Sequence, residues 1–248
     1  MSLSDQQLLR YSRQIFLSNI DVDGQQRLLN AHVCILGVGG LGSLTAPYLA
    51  AAGVGKITLV DDDEVDISNL HRQLIYAERD VGKAKVEIAQ KKLTAINQEC
   101  CIETIDKRLN SSELQSVIQN VDIVLDGTDN FESRFVANAA CFELSKPLLS
   151  AAVNQYFGQI SFFDFSEGSP CYSCLYPDVG SDNNNCSENG VLGPVAGIIA
   201  SWQALHALKY LLGIEVESLH RLMLIDMLSG LNRNIVIQKD KNCDVCNS

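Results

Sequence analysis

Four cysteines fall in two widely separated pairs, Cys171-Tyr-Ser-Cys174 and Cys243-Asp-Val-Cys246. One Cys-x-x-Cys alone could be a redox dithiol, half a metal site or chance. Two such pairs supply the four thiolates of a closed tetrahedral Zn²⁺ site. With no coordination position left open, the expected role is structural: it ties the C-terminal tail to the middle of the chain. A second pattern, Gly37-Val38-Gly39-Gly40-Leu41-Gly42, follows an apolar run and opens a helical stretch. In that context Gly37, Gly39 and Gly42 let backbone approach phosphate oxygens, and the helix start offers unpaired N–H groups to them. Asp61, at the end of the next apolar run, lies where a ribose-binding carboxylate belongs.

A dinucleotide pyrophosphate can be held by backbone and helix dipole, whereas a triphosphate calls for side-chain cations and a metal ligand. Arg13, Arg72 and Lys85 are candidate cations, although each taken singly reads more readily as a solvated surface charge. Asp126 and Asp129, in Asp126-Gly127-Thr128-Asp129-Asn130, follow an apolar run, so both carboxylates are expected to emerge at the C-terminal end of a strand. The Gly-x-x-x-x-Gly-Lys-Ser/Thr loop is absent, which disfavours a P-loop NTPase.

The elements that must position these groups are legible as alternation. Residues 4–30 read as one or two amphipathic helices, with Leu8, Leu9, Tyr11, Ile15 and Phe16 at helical spacing. Strands are expected at 31–36, 56–60, 101–106, 121–125 and 147–152, and helices from 42 to 52, 83–96 and 132–144. This alternation predicts an α/β fold with a Rossmann-like, doubly wound, mostly parallel sheet. After 155 the texture changes: an antiparallel strand at 158–165, an irregular stretch at 170–185 with a mobile loop at 182–185, a long helix within 191–212, strands at 222–226 and 234–238, and the cysteine-bearing tail. Without a repeat or long linker, residues 1–248 read as one domain: N-terminal helices (1–30), a nucleotide-binding half (31–154) and a second half bearing the cysteines (155–248).

Composition narrows the partners. A formal charge of −11 disfavours nucleic acid and anionic membranes, both of which need a basic face. The longest apolar stretch carries Gln203, His206 and Lys209 along one stripe, which fits a buried helix better than a membrane span. The first residues have no basic or apolar export signal, so the nine cysteines are expected as reduced thiols and metal ligands in a cytoplasm. Cys34 and Cys141 read as apolar packing, Cys100-Cys101 receive no role, and His32, His206 and His220 show no partner pattern.

Taken together, RYSRQ (10–14), GVGGLG (37–42), DDDEVDISNLHRQ (61–73), GKAKV (82–86), DGTDN (126–130) and the two cysteine pairs resemble the ThiF/MoeB/HesA family, bacterial relatives of ubiquitin-activating enzymes. The resemblance covers almost the full length, and the combination is far more specific than any single motif. It implies an enzyme that uses ATP to adenylylate the C-terminal Gly-Gly carboxylate of a small ubiquitin-like sulfur-carrier protein, releasing pyrophosphate. Carried onto matching positions, it implies an ATP site of Gly40, Asp61, Ser68, Asn69, Arg72, Lys85, Asp129 and Asn130. Leu70 and His71 contribute through backbone, and Asp129 doubles as the Mg²⁺ ligand. Arg13 is expected to reach the nucleotide of a second subunit, making the active unit a homodimer; Arg134 is expected near the same site. Cys186, after the loop, is a candidate covalent sulfur link to the carrier, or a spare thiol whose pKa Glu188 would raise. Two branches compete, molybdopterin-synthase activation, which is slightly favoured, and activation of the thiamine-pathway carrier. Outside this class stand an NAD-dependent oxidoreductase, a zinc-stapled tRNA-modifying relative, and a non-enzymatic interaction module.

Overall fold

Three short helices open the chain: α1 (Asp5–Arg10), α2 (Ser12–Ile15) and α3 (Asp21–Asn30). This computed structural model describes residues 3–177 and 190–247. Of the apolar stripe expected in 4–30, Tyr11 turns inward at 2% exposed, whereas Leu9 and Phe16 are 79% and 78% exposed. Leu28 of α3 is buried as well, and polar bonds add to the docking. The Asn97 side-chain amide donates to the buried Tyr11 hydroxyl at 2.9 Å, and Gln14 and Gln25 both donate to the Ala52 carbonyl.

The next runs form β1 (His32–Leu36), α4 (Gly42–Ala52), β2 (Lys56–Val60), α5 (Lys85–Ile96), β3 (Cys101–Ile105), α6 (Ser111–Ile118), β4 (Ile123–Asp126), α7 (Phe131–Glu143) and β5 (Leu148–Asn154). The antiparallel portion adds β6 (Phe157–Phe163), α8 (Tyr172–Leu175), α9 (Gly193–Leu211), β7 (Arg221–Asp226) and β8 (Leu231–Val236). Helix α6 escaped the periodicity reading. Its signal is a capping box, in which Asn110 accepts from the Glu113 N–H and Glu113 accepts from the Asn110 N–H.

Among the described residues the strands form one eight-stranded sheet in the order β3-β2-β1-β4-β5-β6-β7-β8. The first five pair in parallel and the last three join antiparallel. Both faces of the parallel part are covered, which explains its near-continuous apolar runs. Val33 and Ile35 of β1 enter a core shared with α4, α5 and α9, whereas Cys34 and Leu36 enter one shared with α6 and α7. Gln203 and His206 of the polar stripe of α9 are buried: Gln203 Nε2 donates to the Asp126 and Leu149 carbonyls, and the Thr45 hydroxyl donates to Gln203 Oε1. His206 Nδ1 lies 2.8 Å from the Ser218 hydroxyl. Among the described residues, no helix is long and apolar enough to cross a membrane.

Candidate active site

The chain runs outward in one direction through β1, β2 and β3 and in the other through β4 and β5. The switch point therefore falls between β1 and β4, beyond whose carboxyl ends ligands sit in open α/β sheets. A cleft of about 830 Å³ opens there. Its floor needs glycine. Gly37 has φ +81°, and a Cβ on it would stand 3.1 Å from the Gly127 carbonyl oxygen. A Cβ on Gly42 would stand 2.0 Å from the Gly37 carbonyl oxygen. Gly37, Gly39 and Gly40 line the cleft, whereas Gly42 acts through this close approach and is not part of the lining.

Asp61 directly follows β2 and binds the loop, accepting from the Val38 N–H at 2.6 Å and the Asp63 N–H at 2.9 Å. Burial pushes its carboxyl above the usual range, opposed by the Lys85 charge and these two N–H groups. Lys85 opens α5 with its side chain only 5% exposed, and its Nζ meets Asp63 Oδ2 at 2.7 Å, while that Asp63 side chain is 68% exposed. The cation thus comes from inside the protein and its counter-ion from solvent. Arg72 lies over the loop: a Cβ on Gly40 would stand 3.6 Å from Arg72 Cδ. Its guanidinium donates to the Ser68 carbonyl at 3.0 Å and stands 2.9 Å from the His71 ring. Ser68, Asn69 and His71 line the same wall.

Asp129 and Asn130 line the opposite wall. Asn130 caps α7 by accepting from the Ser133 N–H at 2.9 Å, and its Nδ2 lies 3.3 Å from Asp129 Oδ1. The start of α7 therefore faces the cleft, as does the start of α4, and the two dipoles favour an anion between them.

Some expected groups go elsewhere. Asp126 does not emerge with Asp129; it is fully buried, accepting from the Ser150 hydroxyl and from the Thr128 N–H and hydroxyl. Strand alternation turns its side chain into the protein, where it stands 4.0 Å from Arg134. Arg134 is buried, borders the cleft and donates to the Thr128 carbonyl at 2.7 Å, so it holds the turn that carries Asp129. Leu70 packs against the core beneath the wall. Arg13 is exposed on α2 and does not line this cleft. Cys186, Glu188 and the loop expected at 182–185 lie outside the described residues. Lys107 and Arg108, in the turn after β3, border the cleft without having been anticipated; their signal was position at a strand's carboxyl end.

The two cysteine pairs converge far along the chain. Cys171 Sγ lies 3.6 Å from Cys243 Sγ and Cys174 Sγ lies 3.4 Å from Cys246 Sγ, each pair 72 residues apart. All four sulfurs lie within 4.8 Å of one another, unbridged. A tetrahedron with bonds of ~2.3 Å has edges of about 3.8 Å, so the donor set fits a metal ion. The Asp240 N–H approaches Cys174 Sγ at 3.3 Å and Asn138 Nδ2 approaches Cys171 Sγ at 3.6 Å, as N–H donors do around thiolates. None of the four borders the cleft.

A doubly wound sheet with a glycine loop, a buried lysine and two helix starts at its switch point defines a nucleotide-binding α/β protein. The chain belongs to the ThiF family, which it matches over residues 11–245. It is 41% identical to Escherichia coli molybdopterin-synthase adenylyltransferase over 98% of both chains. It is 40% identical to the E. coli sulfur carrier protein ThiS adenylyltransferase, over 98% of this chain and 97% of that one. Among solved structures, E. coli MccB with ATP superimposes with a TM-score of 0.82 at 26% identity, covering 96% of this chain and 73% of that one.

Proposed function

We propose that this protein is an adenylyltransferase that uses ATP to activate the C-terminal Gly-Gly carboxylate of a small ubiquitin-like sulfur carrier. The carrier in this reading is the small subunit of molybdopterin synthase, for molybdenum cofactor biosynthesis. The observation that carries the reading is the joining of Arg72, the buried Lys85 and Asp129 around one glycine loop, in a chain 41% identical to a molybdopterin-synthase adenylyltransferase. The thiamine-pathway carrier is the second reading, favoured by an almost equal identity of 40% to the ThiS enzyme.

In this reading ATP lies along the glycine loop, with the Asp61 carboxylate on its ribose and Gly40, Ser68, Asn69 and Asn130 around its phosphates. A carboxylate is already nucleophilic, so no protein base is required. One carboxylate oxygen attacks the α-phosphorus in line; the bond from that phosphorus to the bridging oxygen breaks, and pyrophosphate leaves with the electron pair. The protein supplies position and positive charge. Arg72 and Lys85 neutralise the phosphates in cis. Arg13, exposed and outside its own cleft, does so in the cleft of a second copy, so the active unit is a homodimer. Asp129 is the carboxylate that would hold Mg²⁺, which when bound would offset charge on the polyphosphate. Cys171, Cys174, Cys243 and Cys246 would hold Zn²⁺ as a structural staple. Reduced cysteines and this metal suit a cytoplasmic location.

ATP–pyrophosphate exchange tests the reading, run with purified Gly-Gly carriers from the molybdopterin and thiamine pathways. Exchange with the first carrier alone is the expected result. Exchange with only the second transfers the assignment to the thiamine branch, and none with either defeats both. For the homodimer, mixing Arg13→Ala and Arg72→Ala chains should restore exchange that neither gives alone. Failure to complement would remove the role of Arg13 in trans.

A further inference from the structure

The wall formed by residues 69–76 holds one more polar group than the proposed ATP site uses. The Arg72 and Gln73 N–H groups both donate to the Asn69 carbonyl at 3.0 Å. The segment therefore turns helically and sets Asn69, Arg72 and Gln73 on one face at i, i+3 and i+4. Tyr76 secures this turn to the loop, its hydroxyl donating to the Val38 carbonyl at 2.8 Å. The face covers the glycines: a Cβ on Gly39 would stand 3.6 Å from Gln73 Nε2, as one on Gly40 would from Arg72 Cδ.

Gln73 is only 3% exposed and borders the cleft, yet among the described residues its Oε1 is buried without a hydrogen-bond partner. A buried acceptor left unpaired destabilises the free protein, and native structures rarely keep one without a use. Leucine or methionine would occupy similar volume without that penalty. The neighbours on the same face, Asn69 and Arg72, both line the cleft.

We propose that Gln73 is a further substrate-contact residue: on substrate entry its carboxamide turns from the arrangement in which Nε2 lies nearest the glycine loop, and Oε1 accepts a hydrogen bond from a donor that the substrate carries into the cleft. The choice of donors rests on the adenylyltransferase reading. ATP brings ribose hydroxyls, and the acyl substrate brings the backbone N–H groups of its terminal residues. Either is a neutral donor of the kind that an amide oxygen accepts.

The test compares wild type with Gln73→Leu by three measurements: the melting temperature of the free protein, the Kd for ATP by calorimetry, and the carrier KM in pyrophosphate exchange. The free variant should melt about 2–4 °C higher, because the unpaired acceptor is gone. One ligand constant should weaken on the order of 10-fold: the ATP Kd if the ribose is the donor, the carrier KM if the peptide is. Both constants staying within twofold would overturn the proposal, whatever the melting temperature. A lower melting temperature would also overturn it, since the carboxamide would then serve the fold. If Gln73→Leu does not fold, Gln73→Met replaces it, and failure of both is the same refutation. A wild type inactive with every carrier would defeat the adenylyltransferase reading separately. The melting and ATP arms would then decide on Gln73 alone, a 10-fold loss of ATP affinity being required.

Discussion

Replacing Lys85 with methionine should separate catalysis from folding. The Lys85 side chain is 5% exposed, while the Asp63 side chain that partners it at 2.7 Å is 68% exposed. Removing the cation leaves Asp63 free to hydrate; Asp61 loses the charge that opposes its desolvation but keeps the Val38 and Asp63 N–H groups, and methionine nearly matches the lysine stem. Loss of a pair with one solvated member changes stability by about 1 kcal/mol or less, and relief of lysine desolvation opposes even that. The melting temperature should therefore stay within about 2–4 °C of wild type. In the proposed reaction the same ammonium faces charge developing on the phosphates from a position fixed by α5. Loss of one such preorganised group costs about 2.7–4 kcal/mol of barrier, or 10²–10³ in rate. Single-turnover formation of the acyl-adenylate, followed beside thermal melting, gives both numbers. A rate within about fivefold of wild type, or a rate loss matched by collapse of the melting transition, would refute the reasoning.

Three further outcomes follow from the geometry. Purified protein should carry about one zinc per chain, and Cys243→Ser should lose it and melt lower while keeping its ATP Kd, because the cysteine cluster lies outside the cleft; ATP affinity falling with the zinc would contradict that separation. Gly42→Ala should destabilise by about 1–3 kcal/mol or more, since its Cβ would overlap the Gly37 carbonyl oxygen at 2.0 Å. Gly197→Ala, in α9 with open space around it, should instead stabilise by about 0.5–1 kcal/mol, and equal melting shifts for the pair would defeat the packing argument. Burial holds His206 and His32 below the usual imidazole range. The unfolded chain is then the better proton binder, so stability should fall as pH drops from about 6.5 toward the lower folded values. His206→Gln should flatten part of that slope in melting curves, and an unchanged slope would remove this residue from the account.

Much of the framework was legible because it is local. Strand β2 matches its apolar run residue for residue, as the five-residue KITLV run ends where the acidic triplet begins. The glycine loop declared itself by the backbone freedom it demands, and the doubly wound order followed from strand–helix alternation. Helix α6 was missed because it is short, although a capping box and Leu114, Val117 and Ile118 at helical spacing mark it. The N-terminal stripe was only partly a guide, because Leu9 and Phe16 stay exposed while Tyr11 turns inward and docks together with Gln14 and Gln25.

The candidate site divides along the same line. Residue types and spacing singled out the glycine loop, Asp61 and the two cysteine pairs as candidates, since each motif is a contiguous run with its own geometric demand, whereas Arg72 and Lys85 stood apart from surface charges only through the family resemblance. Which side each charge faces was decided only by the packed sheet. Asp126 and Asp129 lie three residues apart, but alternation at the end of β4 buries the first and the following turn exposes the second. The buried setting of Lys85, the unpaired oxygen of Gln73 and the closure of cysteines 72 residues apart all depend on distant segments meeting. Such meetings are fixed by the burial of both sheet faces, which no single stretch of the chain encodes.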